Sequence, residues 1–193
     1  STAEVTLTAT AGSILATGGG LVQAQTLHLL TANSGSVGTA SAALNTQAST
    51  MDMDVGSGGA YVQQTGALTL SNANVRGVLQ LSAAGSLTAP TITATGAVTL
   101  TVTGTGNDLT LQSLNATNAG TGQAVTLNVA DQVLDGDSVS DTALDITAGT
   151  LSITAGSVGT STDALEISVD TLTLTTRKFI WIMMHSITQP HLT

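Results

Sequence analysis

Five aspartates fall between residues 131 and 145: Asp131, Asp135, Asp137, Asp141 and Asp145. Carboxylate oxygens are the hard donors that calcium takes, and Asp135-Gly136-Asp137 resembles part of a calcium loop, with Asp131 as a third candidate. The spacing fits neither the twelve-residue helix-flanked loop nor the GGxGxDxUx nonapeptide of calcium-binding β-rolls. The alternative reading is a set of turn aspartates along one edge of the fold. A second acidic pair, Asp52 and Asp54, alternates with Met51 and Met53. On a strand the two share one face, where they could chelate a cation weakly or keep an edge soluble.

Groups able to use these acids in catalysis are scarce. β-Helical enzymes that cleave acidic polysaccharides set an Arg or Lys base beside carboxylates that hold calcium, and Arg76 is the sole basic residue before residue 177. In a coil of about 20 residues per turn, Arg76 lies roughly three turns from the aspartates, on the order of 14 Å, too far for one site. His28 sits among leucines with no second His or Cys nearby, so it reads as an outward strand side chain rather than a metal ligand. Ser and Thr are abundant, but His28 is the only histidine before the last nine residues, so a nucleophilic triad has no base. The expectation is no catalytic residue and no cofactor-binding residue.

The elements that position these groups are short strands. The stretch Gly66 to Leu81, GALTLSNANVRGVLQL, returns in degenerate form as GSLTA at 85, GAVTLTV at 96, NDLTLQSL at 107, GQAVTLNV at 122, DTALDITA at 141 and GTLSITA at 149. Each copy opens on a turn residue and alternates Leu, Val or Ile with Thr, Ser or Gln, the period of a strand with one buried face. Apolar anchors fall at Leu68, Leu79, Leu87, Val98 and Leu109, and later at Val125, Leu144 and Leu165, so alternate anchors stand about 20 residues apart. Such a period marks a solenoid, whose units bury their apolar faces against their neighbours. The fold class expected is all-β, a single-stranded right-handed parallel β-helix of about 20 residues per rung. A longer echo, SGSVGTASAAL at 34 and AGSVGTSTDAL at 155, spans six such intervals.

Composition agrees. Hydrophobic residues make up 41%, but aromatics only 2% and charged residues only 8%; a compact enzyme usually carries more of both, whereas a narrow interior stacked from Leu, Val, Ala and Ile does not need them. The net charge of -9, with three basic residues, repels phosphate, so no nucleic acid is expected as partner. The lack of cysteine excludes thiolate chemistry and suits a chain exported unfolded. No run approaches a membrane span, and no leader is evident; the sequence opens mid-pattern, at AEVTLTATAGSIL.

Leu21 to Leu30, LVQAQTLHLL, could be read as helix, but its Gln-rich alternation favours strand. Asn72 and Asn74 flank the turn that holds Arg76, where stacked Asn can form ladders between rungs, and Pro90 opens a strand, where a missing N–H is tolerated. Residues 177–193, RKFIWIMMHSITQPHLT, break the pattern and hold the only Phe and Trp. Two domains are therefore expected: a repeat segment over 1–176 and a non-repeat tail over 177–193, either a cap or a foreign, frameshifted sequence. Left exposed, Phe179 to Met184 would promote self-association.

GALTL, GAVTLTV, VTLTATAGSIL and the GSVGT-x3-AL-x6-LTL form at 156 to 174 resemble the repeat region of filamentous-haemagglutinin-like adhesins, the exported partners of two-partner secretion systems. The resemblance covers roughly residues 1 to 176 and extends to other giant bacterial surface proteins. It implies a parallel β-helix, export through an outer-membrane transporter, an extracellular location on the bacterial cell surface, and a stiff rod for attachment to a host-surface or extracellular glycan or protein. The alternatives are a calcium- or glycan-binding module centred on Asp131 to Asp145, and a polysaccharide lyase or hydrolase dependent on Arg76.

Overall fold

The computed structural model describes residues 3–137 and 141–186, and every regular element among them is a β-strand. In chain order they are β1 (Glu4–Ala9), β2 (Leu21–Thr31), β3 (Ser36–Val37), β4 (Leu44–Val55), β5 (Gly59–Gln64) and β6 (Leu68–Val75). There follow β7 (Leu79–Ala83), β8 (Leu87–Ala89), β9 (Ile92–Ala94), β10 (Val98–Val102), β11 (Leu109–Leu111), β12 (Leu114–Asn118) and β13 (Thr121–Gly122). The last are β14 (Ala124–Val129), β15 (Gln132–Asp135), β16 (Ile146–Ala155), β17 (Ser157–Val158), β18 (Leu165–Thr176) and β19 (Ile182–Ser186). Leu21 to Leu30 is strand, as its alternation predicts.

Among the described residues pairing is parallel apart from the small β12–β13 hairpin and an isolated bridge between Thr39 and Ala42. The chain winds about eight turns of a coil with three faces. The first face stacks β5, β7, β10, β14 and the second halves of β16 and β18. On the second lie the start of β6, then β8, β11, β15 and β17. The third carries the ends of β4 and β6, then β9, β12, the first halves of β16 and β18, and β19. Val98 pairs with Leu79, 19 residues back, and Leu109 with Leu87, 22 back. Ile146 reaches back 32 residues to Leu114, because that turn holds both the β12–β13 hairpin and the 136–144 connection. Such insertions lift the turn to about 22 residues from the 20 read off the anchors.

Alternation explains the interior. Leu81, Leu100, Leu127 and Ile153 form one inward file, Leu87, Leu109, Val133 and Val158 a second, and Ala73, Ile92, Leu114, Ile146 and Ile167 a third. All are buried, and each fully buried Leu or Ile stabilises the fold by about 1.5–3 kcal/mol. Corners are tight enough to select glycine. The Gly96 N–H donates to the Gly77 carbonyl at 3.0 Å, and a Cβ on Gly96 would come within 2.6 Å of the Gly77 carbonyl carbon.

One buried polar side chain completes the ladder where a strand changes partner. Residues 44–46 of β4 pair with β5 and residues 50–55 with β6, which leaves Ala48 between the two. The Gln64 side chain takes the missing strand's place: its Oε1 accepts from the Ala48 N–H at 3.2 Å and from the Thr46 hydroxyl at 2.8 Å, and its Nε2 donates to the Ala48 carbonyl at 2.7 Å.

Two details of the repeat differ from its reading in sequence. Leu144 is no anchor: it is 37% exposed and precedes β16, and the strand that stacks on Val125 brings Leu151 instead. The two GSVGT copies fold alike, each a two-residue strand, a glycine at φ near +62°, and a turn closed reciprocally between Thr39 and Ala42 or Thr160 and Asp163. They sit on different faces, however, since Val37 pairs into the first and Val158 into the second. Their 121-residue offset is therefore not a whole number of turns. In the tail, β19 lies parallel on β18, with Leu165 opposite Ile182, while Phe179, Trp181 and Met184 are exposed.

Candidate functional site

The corner between the second and third faces gathers the acids. Asp135 is the last residue of β15 on the second face, and Asp145 immediately precedes β16 on the third. Because Ile146 pairs with Ile167 in the following turn, Asp145 stacks on Glu166. The Asp145 N–H donates to the Glu166 carbonyl at 2.9 Å, and the Glu166 N–H donates to Asp145 Oδ2 at 2.7 Å. Leu165 and Ile167 point into the core, so alternation turns Glu166 outward. It is nevertheless only 2% exposed, and Asp145 is 0% exposed.

One carboxylate oxygen from each of Asp135, Asp145 and Glu166 lies within 4.8 Å of the others, and Asp135 shares a second grouping of the same tightness with Asp137 and Asp141. Local hydrogen bonds shape the approach: Asp135 Oδ1 accepts from the Asp137 N–H at 3.0 Å, and Asp141 Oδ1 from the Ala143 N–H at 2.7 Å. Gln112, one turn back, donates to the Gly136 carbonyl at 2.5 Å. Asp145 Oδ1 and Glu166 Oε2 are buried with no hydrogen-bond partner. None of the ion pairs among the described residues involves Asp135, Asp145 or Glu166.

Crowding of like charge in a dry corner pushes these groups toward their neutral forms. Burial, reinforced by the charge of Asp135, raises Asp145 to about 9, against the opposing hydrogen bond from the Glu166 N–H. Glu166 is also raised, chiefly by burial. Asp137 is raised to about 7, first by its hydrogen bond with Asp141 and then by desolvation and the charge of Asp135.

Of the calcium candidates read from the sequence, Asp135 and Asp137 belong to this cluster and Asp131 does not. The Asp131 carboxylate faces Lys178 Nζ at 3.5 Å, and its carbonyl accepts from the Gly156 N–H. Glu166 was missed, although it supplies one of the two unpartnered oxygens. The other acidic pair is already engaged: Asp52 lies against His28 Nδ1, and Asp54 meets Arg76 at 2.8 Å and the Asn74 amide at 3.1 Å. His28 therefore stands between two acids, Glu4 at 3.4 Å and Asp52. Arg76 follows Val75, whose file runs through Ala94 and Ala116, so it is three turns from the turn that Asp145 opens.

No protein-family model matches the chain, and neither curated proteins nor solved structures give a match.

Proposed function

We propose that residues 1–176 are a structural and adhesive segment of a secreted bacterial surface protein, a stiff rod that presents a flat polar face for attachment. The observation that carries this reading is the outer surface of the first face. Tyr61, Gln80, Thr99, Thr126, Ser152 and Thr173 form one file along the coil axis, and Gln63, Ser82, Thr101, Asn128, Thr154 and Thr175 form a second beside it. Neither file contains a charged side chain. Hydroxyls and amides at a spacing of roughly 4.8 Å offer a regular array of donors and acceptors to a glycan or an extended peptide, and the backbone below them is rigid because each turn is hydrogen-bonded to the next. Stiffness comes from the same source: about eight turns rise roughly 40 Å along the axis, each paired to the next.

The reading is tested by immobilising extracellular glycans and matrix proteins and measuring retention of beads that carry the chain. Retention that falls when Thr99, Thr101, Thr126 and Asn128 are all replaced by Glu supports attachment through this face. Retention unchanged by those substitutions, or none on any surface, removes the adhesive role.

A further inference from the structure

We infer that Asp135, Asp145 and Glu166 form a calcium site that ties the end of β15 and the start of β16 to the following turn of the coil. Two oxygens bound to one calcium ion at about 2.4 Å can be no more than about 4.8 Å apart, and that is the separation within which one oxygen from each of these three side chains falls.

The acidic cluster does not stand alone as evidence. Asp145 and Glu166 are both more than nine-tenths buried, and each holds one carboxylate oxygen without a hydrogen-bond partner at this corner. An ionised carboxylate sealed from water with one oxygen left without a donor costs several kcal/mol, and a second beside it compounds the repulsion. A folded chain meets that cost by protonating the acids or by placing a cation between them. The second course neutralises both buried acids and Asp135 together. It also gives a role to Asp137 and Asp141, which share Asp135 as a common neighbour and can complete the six to eight oxygens that calcium takes, with water supplying the rest. Magnesium fits less well, since it holds its waters and demands a near-regular octahedron, whereas these donors are crowded carboxylates from two turns and a connection.

The inference concerns the fold of this corner and does not depend on the adhesive role. Calorimetry of the full chain, freed of metal by chelator and titrated with calcium chloride, is expected to give one saturable binding event. Thermal melts with calcium at a hundredfold excess over the measured Kd should rise by roughly 5 to 10 °C. Glu166→Gln and Asp135→Asn should each abolish both effects while keeping the β-sheet circular dichroism of the parent in calcium-free buffer. Asp131→Asn, outside the cluster, should preserve both. No heat with an unmoved melting temperature overturns the site and leaves shared protons as the answer to the buried charge. An equal response to magnesium chloride overturns the choice of ion, and a response that survives both cluster variants overturns the choice of ligands.

Discussion

Replacing Gln64 with methionine isolates the role of one side chain in closing the coil. Methionine matches glutamine in length and nearly in volume, so packing is conserved, but it offers none of the hydrogen bonds that Gln64 makes to the Ala48 N–H, the Ala48 carbonyl and the Thr46 hydroxyl. Ala48 is buried where β4 passes from one partner strand to the next, so water replaces only part of what is lost. Each orphaned buried group costs about 1–3 kcal/mol. With the two backbone groups fully stranded, the hydroxyl partly so and some return from the apolar thioether, Gln64→Met should destabilise by about 3 kcal/mol. That is a large share of the 5–15 kcal/mol typical of a folded chain, and it lowers the melting temperature by roughly 6 to 12 °C. The assay is urea unfolding followed by far-UV circular dichroism, with Gln63→Met as reference because Gln63 is exposed next door and should change stability by less than about 0.5 kcal/mol. A loss below about 1 kcal/mol, or one equal to that of Gln63→Met, refutes the claim that Gln64 stands in for a missing strand.

Two other perturbations probe the corners. Gly96→Ala drives a methyl into the Gly77 peptide and should cost about 1–3 kcal/mol, whereas Gly20→Ala, with only the Thr17 carbonyl at 3.7 Å from the added carbon, should be neutral or stabilising by up to about 1 kcal/mol; urea midpoints compare them. In calcium-free buffer the acid corner makes stability fall with rising pH. Asp145 is raised from 3.8 to about 9 in the fold, so the folded chain holds a proton that the unfolded chain has released. The stability is fully present below pH 3.8 and is lost as pH climbs toward and through about 9, with a slope of at most about 1.4 kcal/mol per pH unit. Melting temperatures across that range should show the decline, and Asp145→Asn should flatten it.

The regular part of the coil was legible because alternation reports directly which side chains point inward. Leu68, Leu79, Leu87, Val98 and Leu109 are all buried anchors, and their intervals reproduce the pairing of β6 with β8 and of β7 with β10. Leu144 failed for a physical reason: TALDITA alternates just as a strand does, yet its first half belongs to a connection that is not in the ladder. The GSVGT echo was real as a local turn but silent about which face carries it, because a turn's sequence encodes its dihedrals and not its place around the coil. The acid site divides in the same way. Asp135 and Asp137 stood out as sequence neighbours around a glycine. Glu166 occupies an outward position in Leu-Glu-Ile and reads as a solvated residue; only the 21-residue step that stacks it beneath Asp145 gives it partners. Asp131 was drawn in by proximity in sequence, whereas the coil turns it toward Lys178.

The central claim is that successive turns lie parallel and in one fixed register, and engineered cysteines read that register without interference because the chain has none of its own. Gln80 and Thr99 are opposite each other on adjacent turns of the first face, which sets their Cα atoms at roughly 4.8 Å, inside the disulfide range of 4.4–6.8 Å. Thr101, two residues further along, stands about 8 Å from Gln80, beyond the reach of a bridge. Under mild oxidation of the folded chain, mass spectrometry should find a disulfide in the Gln80→Cys, Thr99→Cys double variant and free thiols in the Gln80→Cys, Thr101→Cys variant. Equal oxidation of the two, or preference for the second, would contradict the stacked coil.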